Sequence, residues 1–211
     1  MVTPPPPPGK KDGPPPLRAT LADDGAAGVK VTLDKVPPLT VKPAPKGFDQ
    51  TRLMLMGGVA RSLQIAGALE SMLEISVRYS NERVAFEKKI SKFQAVQHNL
   101  ARLAGESAAA LAAATSAADA IANATTFNDE VFLEAVAAKI RCAEAAEKGG
   151  AIAHQVHGAI GFTLEHILHR YSLRALAWRD DFGSESYWAV ELGKLVAARG
   201  ADELWPLVAS R

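Results

Sequence analysis

The stretch Ile152 to Trp188, IAHQVHGAIGFTLEHILHRYSLRALAWRDDFGSESYW, sets the tightest constraint on how this chain can fold. Its residues are helical in character, yet glycines at 158 and 161, and again at 183, interrupt it with two tight turns. Polar groups gather at both breaks. Gln155 and Gly158 precede the first, while Asp180, Asp181, Ser184 and Glu185 surround the second. Glycine-containing ends of packed helices can offer backbone N–H groups to an anionic ligand. Turns between helices also need Gly and Asp for backbone geometry alone, so the pattern by itself leaves both readings open.

The same logic extends along the chain. From Phe48 to about Val84 the sequence predicts a long helix capped by Asp49, with Ile65, Leu69, Met72, Leu73 and Tyr79 on one side and Arg61, Gln64, Glu70, Glu74 and Arg78 on a solvated face. Gly57-Gly58 lies inside it without the remainder of a phosphate loop, which points to close helix packing. Phe93, Val96, Leu100 and Leu103 form the seam of a second helix beginning near Ser91, and the small residues of Ala108 to Ala124 let neighbouring helices approach. Phe132, Val136, Ile140 and Ala143 mark a third, capped by Asn128 or Thr126 and running to Gln155 despite Gly149-Gly150. Beyond Trp188, the residues Val190, Leu192, Leu195 and Val196 continue a helix to near Gly200, and Leu204-Trp205-Pro206 closes the chain. Residues 48–211 are therefore expected to be an all-α, antiparallel bundle of four or five helices. Ahead of it, residues 28–47 hold an alternating strand, Gly28 to Val36, and a linker in which Pro37, Pro38, Pro43 and Pro45 forbid regular structure. Residues 1–27 read as a disordered, Pro-rich tail with polyproline II character.

Composition narrows the function. An apolar share of 48% can build a substantial core, and a net charge of +1 spread over 24 basic and 23 acidic residues supplies no general field for nucleic acid or an anionic membrane. Any anion site must be local. The single cysteine, Cys142, excludes an internal disulfide framework and reads as a packing residue in a reducing compartment. No signal segment opens the chain and no run approaches the twenty apolar residues of a membrane span, so a soluble cytoplasmic protein is expected. His154 and His157, like His166 and His169, stand three apart without the carboxylates or cysteines of a metal set. They read as surface or boundary residues, with no metal expected.

Three ordered blocks carry a resemblance. Gln155-Val-His-Gly158-Ala159-Ile-Gly161-Phe162, followed by Glu165 and Gly183-Ser184, resembles the carboxy-terminal helical domain of the acyl-CoA dehydrogenases, with its Gln-x-x-Gly-Gly-x-Gly-Phe turn and later Glu-Gly-Thr turn. Arg83-Val-Ala-Phe86-Glu-Lys-Lys-Ile90-Ser-Lys-Phe93-Gln94-Ala-Val-Gln97 is similar to that family's Arg-x-x-Phe-Gly-x-x-Ile-x-x-Phe-Gln-x-x-Gln signature. Phe48-Asp49-Gln-Thr51-Arg52 is similar to the segment leading into the domain's first long helix.

The resemblance implies an oxidoreductase that dehydrogenates an acyl-CoA with FAD, in fatty acid metabolism, or a subunit of one, associating as a homo- or hetero-oligomer through the bundle. It implies that Arg83, Phe86, Gln94, Gln155, Gly158 and Ser184 belong to a flavin site shared across a subunit interface, and that Asp49 and Arg52 help to hold the acyl-CoA. It also implies that the amino-terminal domain and most of the middle β-domain of the family are missing here. Two departures stand out in the flavin block: Glu87 replaces a Gly and puts a carboxylate near a pyrophosphate, and Ala159 adds a methyl group where backbone should approach closely. The family's catalytic carboxylate stands before the Gly of the Glu-Gly-Thr turn or, in a minority, at the start of the first helix. Here these positions hold Phe182 and Thr51, so no catalytic residue is assigned, and Asp181 reads as a surface or capping residue. The alternative is a non-catalytic assembly subunit, or a truncated, inactive fragment of such an enzyme.

Overall fold

The computed structural model describes residues 40–209. The expected Pro-rich tail and the expected strand at Gly28 to Val36 lie outside the described residues. The first helix, α1 (Gln50–Glu82), starts where Asp49 adopts an extended backbone and its carboxylate accepts the Arg52 N–H at 2.9 Å. Leu55, Val59, Ser62, Ile65, Leu69, Met72 and Ser76 then recur every three or four residues as a buried stripe. The buried hydroxyls of Ser62 and Ser76 donate to the carbonyls of Gly58 and Met72, so neither of these desolvated O–H groups is left unpaired.

A two-stranded hairpin, β1 (Val84–Ala85) and β2 (Lys88–Lys89), turns the chain through Phe86 and Glu87, both at positive φ. The second helix follows as a 3-10 turn at Ile90–Lys92 and then α2 (Gln94–Asn123), three residues later than the position near Ser91 expected from the sequence. Its buried line is Leu103, Ser107, Ala110, Ala114 and Ala117, mostly too small to hold neighbouring helices apart. Asn128, rather than Thr126, caps α3 (Asp129–His157) by accepting the Val131 N–H at 3.0 Å. This helix buries residues on nearly all sides, from Val131 to His157, because it packs against α1, α2, α4 and α5 at once. Gly149 allows that: a Cβ there would lie 2.4 Å from Leu69 Cδ2.

A 3-10 segment, Gly158–Phe162, leads to α4 (Leu168–Asp180), α5 (Glu185–Arg199) and the short α6 (Leu204–Ala209). The helix expected to resume behind Glu165 begins at Leu168, where the backbone N–H is accepted by the His166 ring at 3.2 Å. The core has two centres, one of Ile65, Leu69, Met72, Leu103 and Leu168, the other of Leu55, Val59, Val136 and Trp188. Fully burying one such leucine stabilises the fold by about 2–3 kcal/mol. The all-α bundle expected from the sequence is the fold observed, and among the described residues no helix is long and apolar enough to cross a membrane.

Candidate functional site: the turns at the bundle ends

The turn between α4 and α5 is fixed from three sides. Lys139, only 1% exposed, donates from Nζ to the carbonyls of Trp178 at 2.9 Å and Arg179 at 2.7 Å, pairing two of the acceptors that a helix C-terminus leaves over. Burial lowers its pKa to about 8, with Asp181 and Asp180 acting in the opposite sense. Asp181 forms an ion pair with Arg61 Nε at 2.8 Å, and the Arg61 guanidinium lies 5.7 Å from the Trp178 ring centroid. This corrects the reading of Arg61 as a member of a solvated face. On the far side, the Trp188 indole donates to the Phe182 carbonyl at 2.9 Å, and Ser184 caps α5 by accepting the Tyr187 N–H. Phe182 sits at φ 58°, with its ring over Gly57 of α1, where an added Cβ would fall 2.4 Å from the ring. The buried lysine went unread in the sequence although it lies three residues after Val136, on the buried side of α3.

Between α3 and α4 lies a cavity of about 730 Å³, lined on one wall by Gln155, Gly158 and Ala159 and on the other by Phe162, Ser172, Leu173 and Leu176. Gly158 has φ 66° and open space where a Cβ would stand, so its backbone is open to close approach. The end of α1 meets this turn through the Tyr79 hydroxyl, which donates to the His157 carbonyl at 3.4 Å. Just beyond Tyr79, Arg83 is exposed on the hairpin and Phe86 stands at its tip, 88% exposed. Gln94 is exposed at the start of α2. The side chains of Arg83, Gln94 and Gln155 make no hydrogen bond or ion pair among the described residues, so none is committed to the fold. Ser184 lines neither this cavity nor the next one.

Asp49, Thr51 and Arg52 come together in a second cavity of about 320 Å³ at the start of α1, with Leu55, Phe127, Phe132 and Leu195. Arg52 lies 5.2 Å from the Phe127 ring centroid. Thr51 is six residues ahead of Gly57, hence about 9 Å along the helix axis from the level of Phe182.

His154, His166 and His169 are half-buried, as expected of boundary residues, and His157 alone departs from the expected surface or boundary placement by being buried. His157 is 4% exposed and stacks on Tyr79 at 4.5 Å, with His166 at 4.7 Å, while His154 stacks on Phe162 at 4.3 Å and bonds Ser172 at 2.8 Å. Burial lowers the pKa of both His154 and His157 from the ordinary imidazole value. The sequence signal was their shared i, i+3 spacing on either side of a glycine turn. Among the described residues no group of three or more His, Cys, Asp or Glu could hold a metal ion.

Residues 45–186 match the model of a family described as acyl-CoA dehydrogenase, C-terminal domain. Acyl-CoA dehydrogenase IpdE2 of Mycobacterium tuberculosis is 38% identical over 109 residues, which are 52% of this chain and 31% of that protein. The glutaryl-CoA dehydrogenase structure with glutaryl-CoA superposes with a TM-score of 0.62 at 27% identity, over 67% of this chain and 36% of that one. The ChsE4-ChsE5 complex from Mycobacterium tuberculosis gives a TM-score of 0.57 at 26% identity, over 69% and 38%. The chain thus spans about a third of the length of the relatives it matches. Match, bundle and turns agree, and the chain belongs to the acyl-CoA dehydrogenase family through the carboxy-terminal helical domain.

Proposed function

We propose that this chain serves acyl-CoA dehydrogenation as a subunit or part of an oxidoreductase, lining one wall of an FAD site shared across a subunit interface. The observation that carries the reading is the open cavity at the Gly158 turn, with Gln155 on its wall, taken together with the uncommitted side chains of Arg83 and Gln94 and the exposed ring of Phe86 on the hairpin and the start of α2. Their chemistry fits the group: a guanidinium and amides for phosphate oxygens, an exposed aromatic ring for a base, and a glycine that lets backbone come close. FAD, when bound, accepts the hydride from the substrate. The part of this chain is to hold and orient, with Arg52 and Asp49 offering polar groups at the mouth of the smaller apolar cavity to an acyl-CoA.

A second reading is favoured by a separate observation. Phe182 and Thr51 carry no carboxylate, and Asp181, the nearest acid to the family's principal base position, is engaged with Arg61. A chain that keeps the assembly surface and leaves proton abstraction to a partner has this composition. Relatives with solved structures include one described as a two-protein complex, ChsE4-ChsE5.

The test is flavin retention by the chain joined with an acyl-CoA dehydrogenase partner. Arg83→Ala and Gln155→Ala should each lower the flavin retained by about tenfold, the worth of one charge-assisted or buried hydrogen bond. Unchanged flavin absorbance in both variants would rule out the shared wall.

A further inference from the structure

The Gly158 turn is held against α1 and α4 by imidazoles whose bare nitrogens are buried. His157 Nδ1 lies 2.8 Å from the Ala153 carbonyl and can only donate to it, which fixes the ring's hydrogen there and leaves Nε2 bare. Ser172 donates to the His169 carbonyl, so it accepts from His154 Nε2, and Nδ1 of that ring is the bare one. Both bare nitrogens are buried without a hydrogen-bond partner. A Cβ at Gly161 would stand 3.2 Å from His154 Nδ1, so the turn itself covers that atom.

The titratable groups facing the pair offer little to stabilise a positive charge. From α1 comes Tyr79, stacked on His157, and from the segment before α4 comes His166. From α4 comes His169, which disfavours a charge on His154 as His166 does on His157. On α3 His154 disfavours a charge on His157, and Glu147, which lines the same cavity, is paired with Arg179 at 3.1 Å.

We propose that the imidazoles around residues 154–169 form an acid-operated latch: a proton taken up at His154 or His157 frees the turn from α1 and α4 and widens the cavity beside it, while the helical body stays folded. The latch would regulate the shared flavin wall, and to that extent rests on the function proposed above. Opening follows from linkage. A ring that can be protonated only in the open turn, at an ordinary pKa of about 6.5, favours opening by about tenfold at pH 5.5 over pH 7.5, and two such rings by about a hundredfold.

Amide hydrogen exchange of the whole chain at these two pH values, corrected for the intrinsic pH dependence of exchange, reads this directly. Peptides across 154–170 should lose protection by tenfold to a hundredfold, while the buried stretches of α1 and α2 keep theirs. Unchanged protection at the turn, or an equal loss everywhere, overturns the latch. The His154→Asn, His157→Gln variant should show a turn indifferent to pH; one that still opens on acidification overturns the assignment to these rings. If that variant does not fold, side-chain 15N spectra of the wild type decide, since protonated rings in a turn that stays protected are incompatible with the proposal. Flavin retention is measured separately. A turn that opens in acid with no change in flavin leaves the latch standing and counts against the flavin wall.

Discussion

Lys139 shows how one residue can carry a cost and a structural duty together. Its ammonium gives up water inside the bundle, and what it receives is two helix-terminal carbonyls and the nearby negative charge of Asp181 and Asp180. With a folded pKa of about 8 against an ordinary 10.5, the unfolded chain holds a proton that the folded chain has released once the pH exceeds about 8. Stability therefore rises with pH above that value. Cys142 acts oppositely: burial raises its thiol from 9.0 to about 11, so its contribution falls as pH passes about 9. In the window between pH 8 and 9 the lysine outweighs the thiol, whose opposing loss is only a few tenths of a kcal/mol there (roughly a third of the lysine's gain). Urea unfolding should show a gain of about 1 kcal/mol across it, one pH unit of linkage, and Lys139→Met should flatten the profile. A wild-type profile that falls over this interval would contradict the assignment. From sequence the residue was hard to see because a charged side chain on a helix is ordinarily solvated, and only the packing of α3 on all sides reverses that expectation. The N-cap of α1 was legible for the converse reason: an Asp before a helical run bonds within three residues, independently of the tertiary fold.

At the scale of elements, local signals located helices and tertiary contacts moved their ends. α1 and α3 fall close to the expected ranges because their seams are long and their caps are local. α4 starts late, at Leu168, whose N–H is accepted by the His166 ring, a bond that no short-range pattern identifies. The hairpin after α1 was expected only as a signature block. Its two turn residues, Phe86 at φ 52° and Glu87 at φ 64°, give the primed turn that matches the twist of a hairpin, a conformation that costs a residue with a Cβ about 1 kcal/mol or more. Glu87→Gly should remove that strain at one position and raise stability by up to about 1 kcal/mol, or about 2–4 °C in thermal midpoint for a chain of this size. The same change at Lys88, outside the turn, should not stabilise. Equal midpoints for wild type and Glu87→Gly would show that the hairpin lies outside the cooperative unit.

At the scale of the molecule, Gln155 and Gly158 are the two residues of the flavin-like set that line the cavity at the turn, and Phe182, at the position the resemblance assigns to a catalytic carboxylate, is a ring seated on Gly57. Neither deficiency mends the other. In the family resembled, most flavin contacts come from the middle β-domain, so Arg83, Phe86, Gln94, Gln155 and Gly158 alone would bind FAD weakly. The expected outcome is that the isolated chain retains no flavin and reduces no electron acceptor with a saturated acyl-CoA. Phe182→Glu tests the two deficiencies separately. General-base catalysis is worth about a hundred- to ten-thousand-fold, yet it can act only on a substrate held beside an oxidant, so this substitution should leave the isolated chain inactive. Paired with a subunit that brings the β-domain and flavin, the variant has a route to activity, because Phe182 occupies a turn already fixed by Trp188, Lys139 and Arg61. The measurement is flavin absorbance with dye-coupled turnover for both chains. Substrate-dependent bleaching of a flavin bound to the isolated wild type would overturn the one-wall reading and make Asp181, once released from Arg61, the carboxylate to examine.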